Sequence, residues 1–188
     1  MNTGCYAHDT PVLNYQANVT TESDRSQPPS ADAQRSEQEQ RQLVAEITTL
    51  FEQKISFNEF LGFRIDQLEP GPVRINFQMR PELIGHYLHG RLHGGVIASV
   101  LDVAGGLAVM MGIAAFHPAD STLQILERFS RLATIDLRVD YLRQGIGSEF
   151  TAVGEVVRLG RRVAVCSMRL SNDQDSLIAT GNASYIVS

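Results

Sequence analysis

Between Gly85 and Asp102 the chain gathers an unusual density of groups able to do chemistry: His86, His89, His93, the pair Gly94-Gly95 and Asp102. A glycine pair just ahead of a helix leaves backbone N–H groups with no intrahelical acceptor, and the helix dipole adds positive potential there. Such a spot favours an anion, or an oxygen on which negative charge is developing. The same pair could equally let a turn pass close to a strand. Asp102 is the only ionisable side chain in the apolar run from Val96 to Phe116. A carboxylate in that setting is costly unless it is hydrogen-bonded in the core or used as a general base or nucleophile.

Spacing constrains how these groups can cooperate. His93 and Asp102 are nine residues apart, so on one helix roughly 13.5 Å of rise and about 180° of rotation separate them. They cannot converge on one small reacting group within a single chain. If both act, Gly94-Gly95 of one copy must meet Asp102 of another, which predicts a two-fold dimer with two composite sites. His86, His89 and His93 lack the spacing of a helical two-histidine metal motif and have no fourth ligand nearby, so neither metal nor other cofactor is expected. No G-x-S-x-G run occurs, which leaves an α/β-hydrolase mechanism without support. Gly145-Ile146-Gly147 and Gly160 read as turns.

The elements that must hold these groups follow from periodicity. Leu43, Ile47, Leu50 and Phe51 recur at helical spacing among polar residues, predicting an amphipathic helix over Ser36–Lys54. Phe57, Phe60, Leu61 and Phe63 follow as an apolar cap. Phe63–Leu68 and Val73–Met79, around Pro70-Gly71-Pro72, predict a hairpin. The run Val96–Phe116 predicts a helix apolar almost all round, and Leu123–Arg131 a short second one. Alternation of Ile135, Leu137, Val139 and Tyr141 against Asp136, Arg138 and Asp140 predicts a strand. Three more are expected at Phe150–Leu159, Val163–Leu170 and Leu177–Val187. A helix apolar on every side needs cover on every side, and a curled antiparallel sheet supplies it. The fold class is therefore α+β.

Bulk properties bound the rest. At 188 residues the chain suits one domain. Polar residues dominate up to about Ala33, so residues 1–35 are expected to form a disordered or extended tail and residues 36–188 the domain. A formal net charge of -5 leaves no excess of basic groups to neutralise phosphates, so nucleic acid is not an expected partner. Asp102 and the glycines argue against Val96–Phe116 as a membrane span. Two cysteines, Cys5 and Cys166, make no disulfide framework and fit a reducing cytosol. Met1–Gln16 lacks the pattern of a secretory signal.

The run Leu92-His93-Gly94-Gly95-Val96-Ile97-Ala98-Ser99, with Leu101-Asp102-Val103 after it, resembles the PaaI-like branch of hotdog thioesterases. Together with Arg131–Arg143 it is similar to the YigI-like acyl-CoA thioesterases, over roughly Leu43 to the C-terminus. The resemblance implies a hotdog fold: a curved antiparallel sheet around one long central helix, here with an extra N-terminal helix. It implies hydrolysis of medium- to long-chain acyl-CoA by a homodimer or dimer of dimers in the cytoplasm. The Gly94 N–H, with Gly95, would polarise the thioester carbonyl, and His93 would hold that turn. Asp102 of the partner subunit would activate water or attack directly, and Thr134 would position it. His86 stands near where relatives carry Asn. Arg128, Arg143, Arg161 and Arg162 are candidates for the phosphates of CoA, with Arg131 beside them, and Val100 and Val103 for the acyl pocket. The alternatives are an acyl-CoA-binding module without turnover and an enoyl-CoA hydratase on the same fold.

Overall fold

The computed structural model describes residues 34–68 and 71–188. The expected tail therefore lies outside the described residues except for Gln34 and Arg35, as does part of the turn at Pro70-Gly71-Pro72. Helix α1 (Glu37–Thr49) starts at Ser36, which forms a capping box with Glu39, and runs into a π-helical turn over Leu50–Lys54. Then come α2 (Ser56–Leu61), β1 (Arg64–Gln67), β2 (Val73–Gln78), a 3-10 turn (Pro81–Leu83), β3 (Ile84–His86) and β4 (Arg91–Leu92). The central helix α3 (Gly94–Phe116) follows, with α4 (Thr122–Phe129), β5 (Ala133–Tyr141), β6 (Glu149–Leu159), β7 (Val163–Asn172) and β8 (Leu177–Ile186).

Six strands form one antiparallel sheet in the order β1-β2-β6-β7-β8-β5, with β3 and β4 paired separately. The sheet wraps α3, the hotdog arrangement. Every residue from Ala104 to Met111 is buried, so a helix long and apolar enough to cross a bilayer is core here. Small residues bring helix and sheet into contact: a Cβ on Gly154 of β6 would stand 2.3 Å from the Ala104 carbonyl oxygen. A backbone oxygen cannot be pushed aside as a flexible side chain can, so only glycine fits that position.

The C-terminus of α3 is closed by Arg35. Its guanidinium donates to the carbonyls of Ala114, His117 (2.7 Å) and Asp120 (3.0 Å), and its own N–H donates to Pro118 O at 2.7 Å. Of these, the Ala114 carbonyl belongs to the last turn of α3, where a helix end leaves carbonyls without intrahelical partners; the others lie in the turn that follows. Arg35, at the last position of the expected tail, is thus bound into the domain.

Three departures from the periodicity have local causes. Residues 84–92 form a small hairpin too short to show alternation. Phe57 and Phe60 do not close over the core: their rings stack at 6.3 Å on the outside of α2, while Leu61 and Phe63 are buried. On β5, Ile135 faces out at 55% exposure, because the β5–β8 register shifts between Thr134 and Asp136. One extra residue in a ladder reverses every side chain beyond it.

Candidate active site

The turn into α3 is pinned from several sides. His93 N–H donates to Leu83 O at 2.8 Å, and Leu92 N–H to Gly145 O at 2.9 Å. Gly85 of β3 backs onto His93 so closely that a Cβ there would lie 2.5 Å from His93 Cα. His93 is the N-cap of α3, its Nδ1 accepting from the Gly95 N–H at 2.9 Å. The imidazole accepts through Nδ1, so the ring proton sits on Nε2.

Accounting for the remaining polar groups of this turn isolates one donor. The His93 carbonyl accepts from Val96 and Ile97 N–H at 3.0 and 3.2 Å. The Gly94 carbonyl accepts from the Tyr141 hydroxyl at 3.0 Å, and the Gly95 carbonyl from Ser99 Oγ at 2.8 Å. Among the described residues, the Gly94 N–H donates to nothing. It is the first amide of a 23-residue helix, and its free proton lies at the positive end of the helix dipole. Gly95 offers no second donor while His93 holds its N–H.

Asp102 sits farther along the same helix, half-buried. Its Oδ1 accepts from Thr134 Oγ1 at 3.0 Å. The Tyr185 hydroxyl shares its proton between the Asp102 backbone carbonyl, 2.9 Å away, and the same Oδ1, 3.2 Å away. Burial and the neighbouring carboxylate push the Tyr185 phenol well above its ordinary range, so it stays a neutral donor at physiological pH. No basic side chain pairs with Asp102 among the described residues. Oδ2 has no hydrogen-bond partner there either.

The other expected residues fare unequally. His86 is half-buried on β3, stacked at 4.8 Å on His89, and its Nδ1 is buried without a partner. Val103 lies half-buried one residue beyond Asp102. Val100 is fully buried in the core of its own chain. Arg128 and Arg161 come together, with Arg131, around a cleft of about 460 Å³ whose apolar walls are Ile113, Phe116, Leu159 and Val187. Asp120 pairs with Arg128 there at 2.6 Å. Arg143 is not in that cleft, and its guanidinium ties to Leu177 O at 2.9 Å. Arg162 is exposed and also outside it.

Sequence reasoning missed Tyr185 as a functional residue and saw Tyr141 only as a strand position. Tyr185 carried a signal: it ends the inward row Ala179, Gly181, Ala183 of β8, where a phenol needs a partner for its hydroxyl.

The family model described as the thioesterase superfamily matches residues 89–179, which contain the turn, Asp102 and Thr134. The medium/long-chain acyl-CoA thioesterase YigI of Escherichia coli is 39% identical over 141 residues, covering 75% of this chain and 91% of that protein. The chain belongs to the thioesterase superfamily. As a thioesterase it is a hydrolase, and its fold has solved counterparts. A Shewanella oneidensis protein related to the same superfamily is 41% identical with a TM-score of 0.75, covering 79% of this chain and 97% of that one. Zebra fish thioesterase superfamily member 2 shares the fold at 22% identity and a TM-score of 0.60, over 77% of this chain and 96% of that one.

Proposed function

We propose that this thioesterase hydrolyses medium- to long-chain acyl-CoA, as a homodimer or dimer of dimers whose sites each draw on two subunits, in a reducing cytoplasm. The observation that carries the reading is the lone unsatisfied Gly94 N–H at the start of α3, on the same helix as a carboxylate with one free oxygen. Gly94 and Asp102 are eight positions apart on the helix, roughly 12 Å of rise, so one thioester cannot touch both in one chain. A two-fold partner brings Gly94 of one subunit to Asp102 of the other. Exposed apolar groups supply surface for that partner: Tyr87 and Leu88 at the β3–β4 tip, Ile135 and Tyr141 on the edge strand β5, and Leu142 just after it.

In this mechanism the Gly94 N–H receives the thioester carbonyl oxygen, and one such donor is worth about 2.7–4 kcal/mol of transition-state stabilisation. Asp102 of the partner subunit takes a proton from water through Oδ2 as the water oxygen bonds to the carbonyl carbon. The C–S bond then breaks and the thiolate of CoA takes that proton, giving fatty acid and CoA. Attack by Asp102 itself, through an anhydride that water then opens, uses the same geometry. Thr134 holds Oδ1, and His86 aims its unpaired Nδ1 as a helper to substrate or turn. Val103 lines the acyl pocket. Arg128, Arg131 and Arg161 receive the phosphates of CoA, the apolar walls of their cleft suiting an adenine face.

The name carried by the Escherichia coli relative supports the chain-length range, and the shared superfamily supports thioester hydrolysis over enoyl-CoA hydration. The test is free-thiol release from saturated acyl-CoAs, short to long, by wild type and Asp102→Asn. We expect turnover by wild type, highest for medium and long chains, and a loss of a hundredfold or more in the variant, the scale of a lost acid–base group. Tight acyl-CoA binding with no thiol released would instead support a binding module. Consumption of enoyl-CoA without thiol would support a hydratase.

A further inference from the structure

The free Gly94 N–H is useful only if it points in a fixed direction, and it belongs to one of two adjacent glycines, the least restrained residues of the chain. The neighbouring Gly94–Gly95 peptide is gripped at both ends by side chains. His93 Nδ1 accepts from its N–H at 2.9 Å, and the Tyr141 hydroxyl donates to its C=O at 3.0 Å. On the other side the His93 N–H is fixed to Leu83 O at 2.8 Å. The donor therefore hangs between two anchored peptides. Tyr141 supplies the only contact in this set that comes from the sheet, 47 residues away in sequence. Its ring also lies against Gly94, 3.5 Å from where a Cβ would be.

We infer that Tyr141 is a positioning residue for the reaction: through the Gly94 carbonyl it sets the plane of the Gly94–Gly95 peptide and so aims the Gly94 N–H at the thioester oxygen. This rests on the acyl-CoA reading above. Tyr141 touches neither substrate nor water in it, and it acts before the substrate arrives. An oxyanion donor that is already aligned needs no reorganisation as charge develops, which is where such donors gain their effect. Loss of the clamp thus lowers kcat and leaves ground-state binding of the acyl chain and CoA intact.

Tyr141→Phe keeps the ring and its packing and removes only the hydroxyl, so fold and assembly are expected to match wild type in melting temperature and gel filtration. Two non-hydrolysable acyl-CoA analogues separate positioning from simple support. One keeps the carbonyl and replaces sulfur with methylene; the other keeps sulfur and replaces the carbonyl with methylene. We expect kcat to fall about 10- to 100-fold, less than or equal to the loss of a whole oxyanion donor, with KM within twofold. Affinity should fall for the carbonyl analogue alone, and by no more than about the same twofold, since the donor gains its effect in the transition state. The infrared carbonyl stretch of that analogue, labelled with carbon-13, should shift down on binding to wild type and shift less in the variant. An unchanged kcat and carbonyl shift in Tyr141→Phe would overturn the inference, as would equal weakening of both analogues, which marks a structural role. If wild type itself neither releases thiol nor shifts the carbonyl, the acyl-CoA reading fails first and takes this inference with it.

Discussion

Thr134 and Tyr141 lie seven residues apart on one strand yet point to the same side of it. Thr134 reaches Asp102 at 3.0 Å and Tyr141 reaches the Gly94 carbonyl at 3.0 Å. An odd spacing places two strand residues on opposite faces, and the bulge at Ile135 restores them to one. A single strand thereby contacts both the Asp102 carboxylate and the Gly94 peptide. Bulges near active sites re-aim side chains in this way.

Thr134 and Tyr185 face each other across the β5–β8 ladder and share Asp102 Oδ1. Removing either hydroxyl should loosen the carboxylate without removing it. Thr134→Val and Tyr185→Phe should each lower kcat by about 3- to 30-fold, below the loss expected for Asp102→Asn. The double variant should lose less than the product of the two, because both act on one oxygen. Steady-state rates of the four proteins check this, and strictly multiplicative losses would mean that the two hydroxyls act independently.

Composite sites make a prediction that no single-chain site shares. Neither Asp102→Asn nor Gly94→Pro, which removes the free N–H, should turn over acyl-CoA at an appreciable rate alone. Mixed and re-annealed, each heterodimer has one site that combines both substitutions and one in which Gly94 and Asp102 are both intact. Verified heterodimers should therefore recover activity toward half the wild-type rate per dimer. Heterodimers that stay inactive would sink the shared site.

Contact between the sheet and α3 should show in stability alone. Gly154→Ala puts a methyl group 2.3 Å from the Ala104 carbonyl oxygen, and overpacking of this kind costs about 1–3 kcal/mol or more. Chemical denaturation should give a lower midpoint with an unchanged slope. Wild-type stability in this variant would mean that helix and sheet separate more easily than their spacing implies.

His117 follows the C-terminus of α3, and its pKa is lowered by burial first, then by the charge of Arg128, with Arg35 adding to that and Asp120 opposing. The folded state therefore takes up this proton at lower pH than the unfolded chain, which binds it near about pH 6.5. Stability is unaffected by His117 above that value and falls as pH drops through it. His117→Gln should flatten the decline of melting temperature between about pH 7 and 5. A decline as steep as in wild type would assign it to other groups.

Much of this protein was decided by local sequence. The length and burial of α3 follow from a run in which Asp102 is the sole charge, and the strands of the last third from alternation, because side-chain period is a property of neighbouring residues. The glycine pair and the carboxylate could be named as candidates for the same reason, and their spacing along one helix already kept them from converging on one small group within a chain. What tertiary structure decided lies at long range. Arg35 finds the end of α3 some 80 residues away, Tyr185 finds Asp102 83 residues away, and Tyr141 finds Gly94 across 47. The two tyrosine contacts depend on strand order, and that of Tyr141 also on one bulged residue; a one-residue slip would have turned the same side chains to the opposite face. Periodicity specifies which residues lie on a face; only the closed sheet specifies which of them meet.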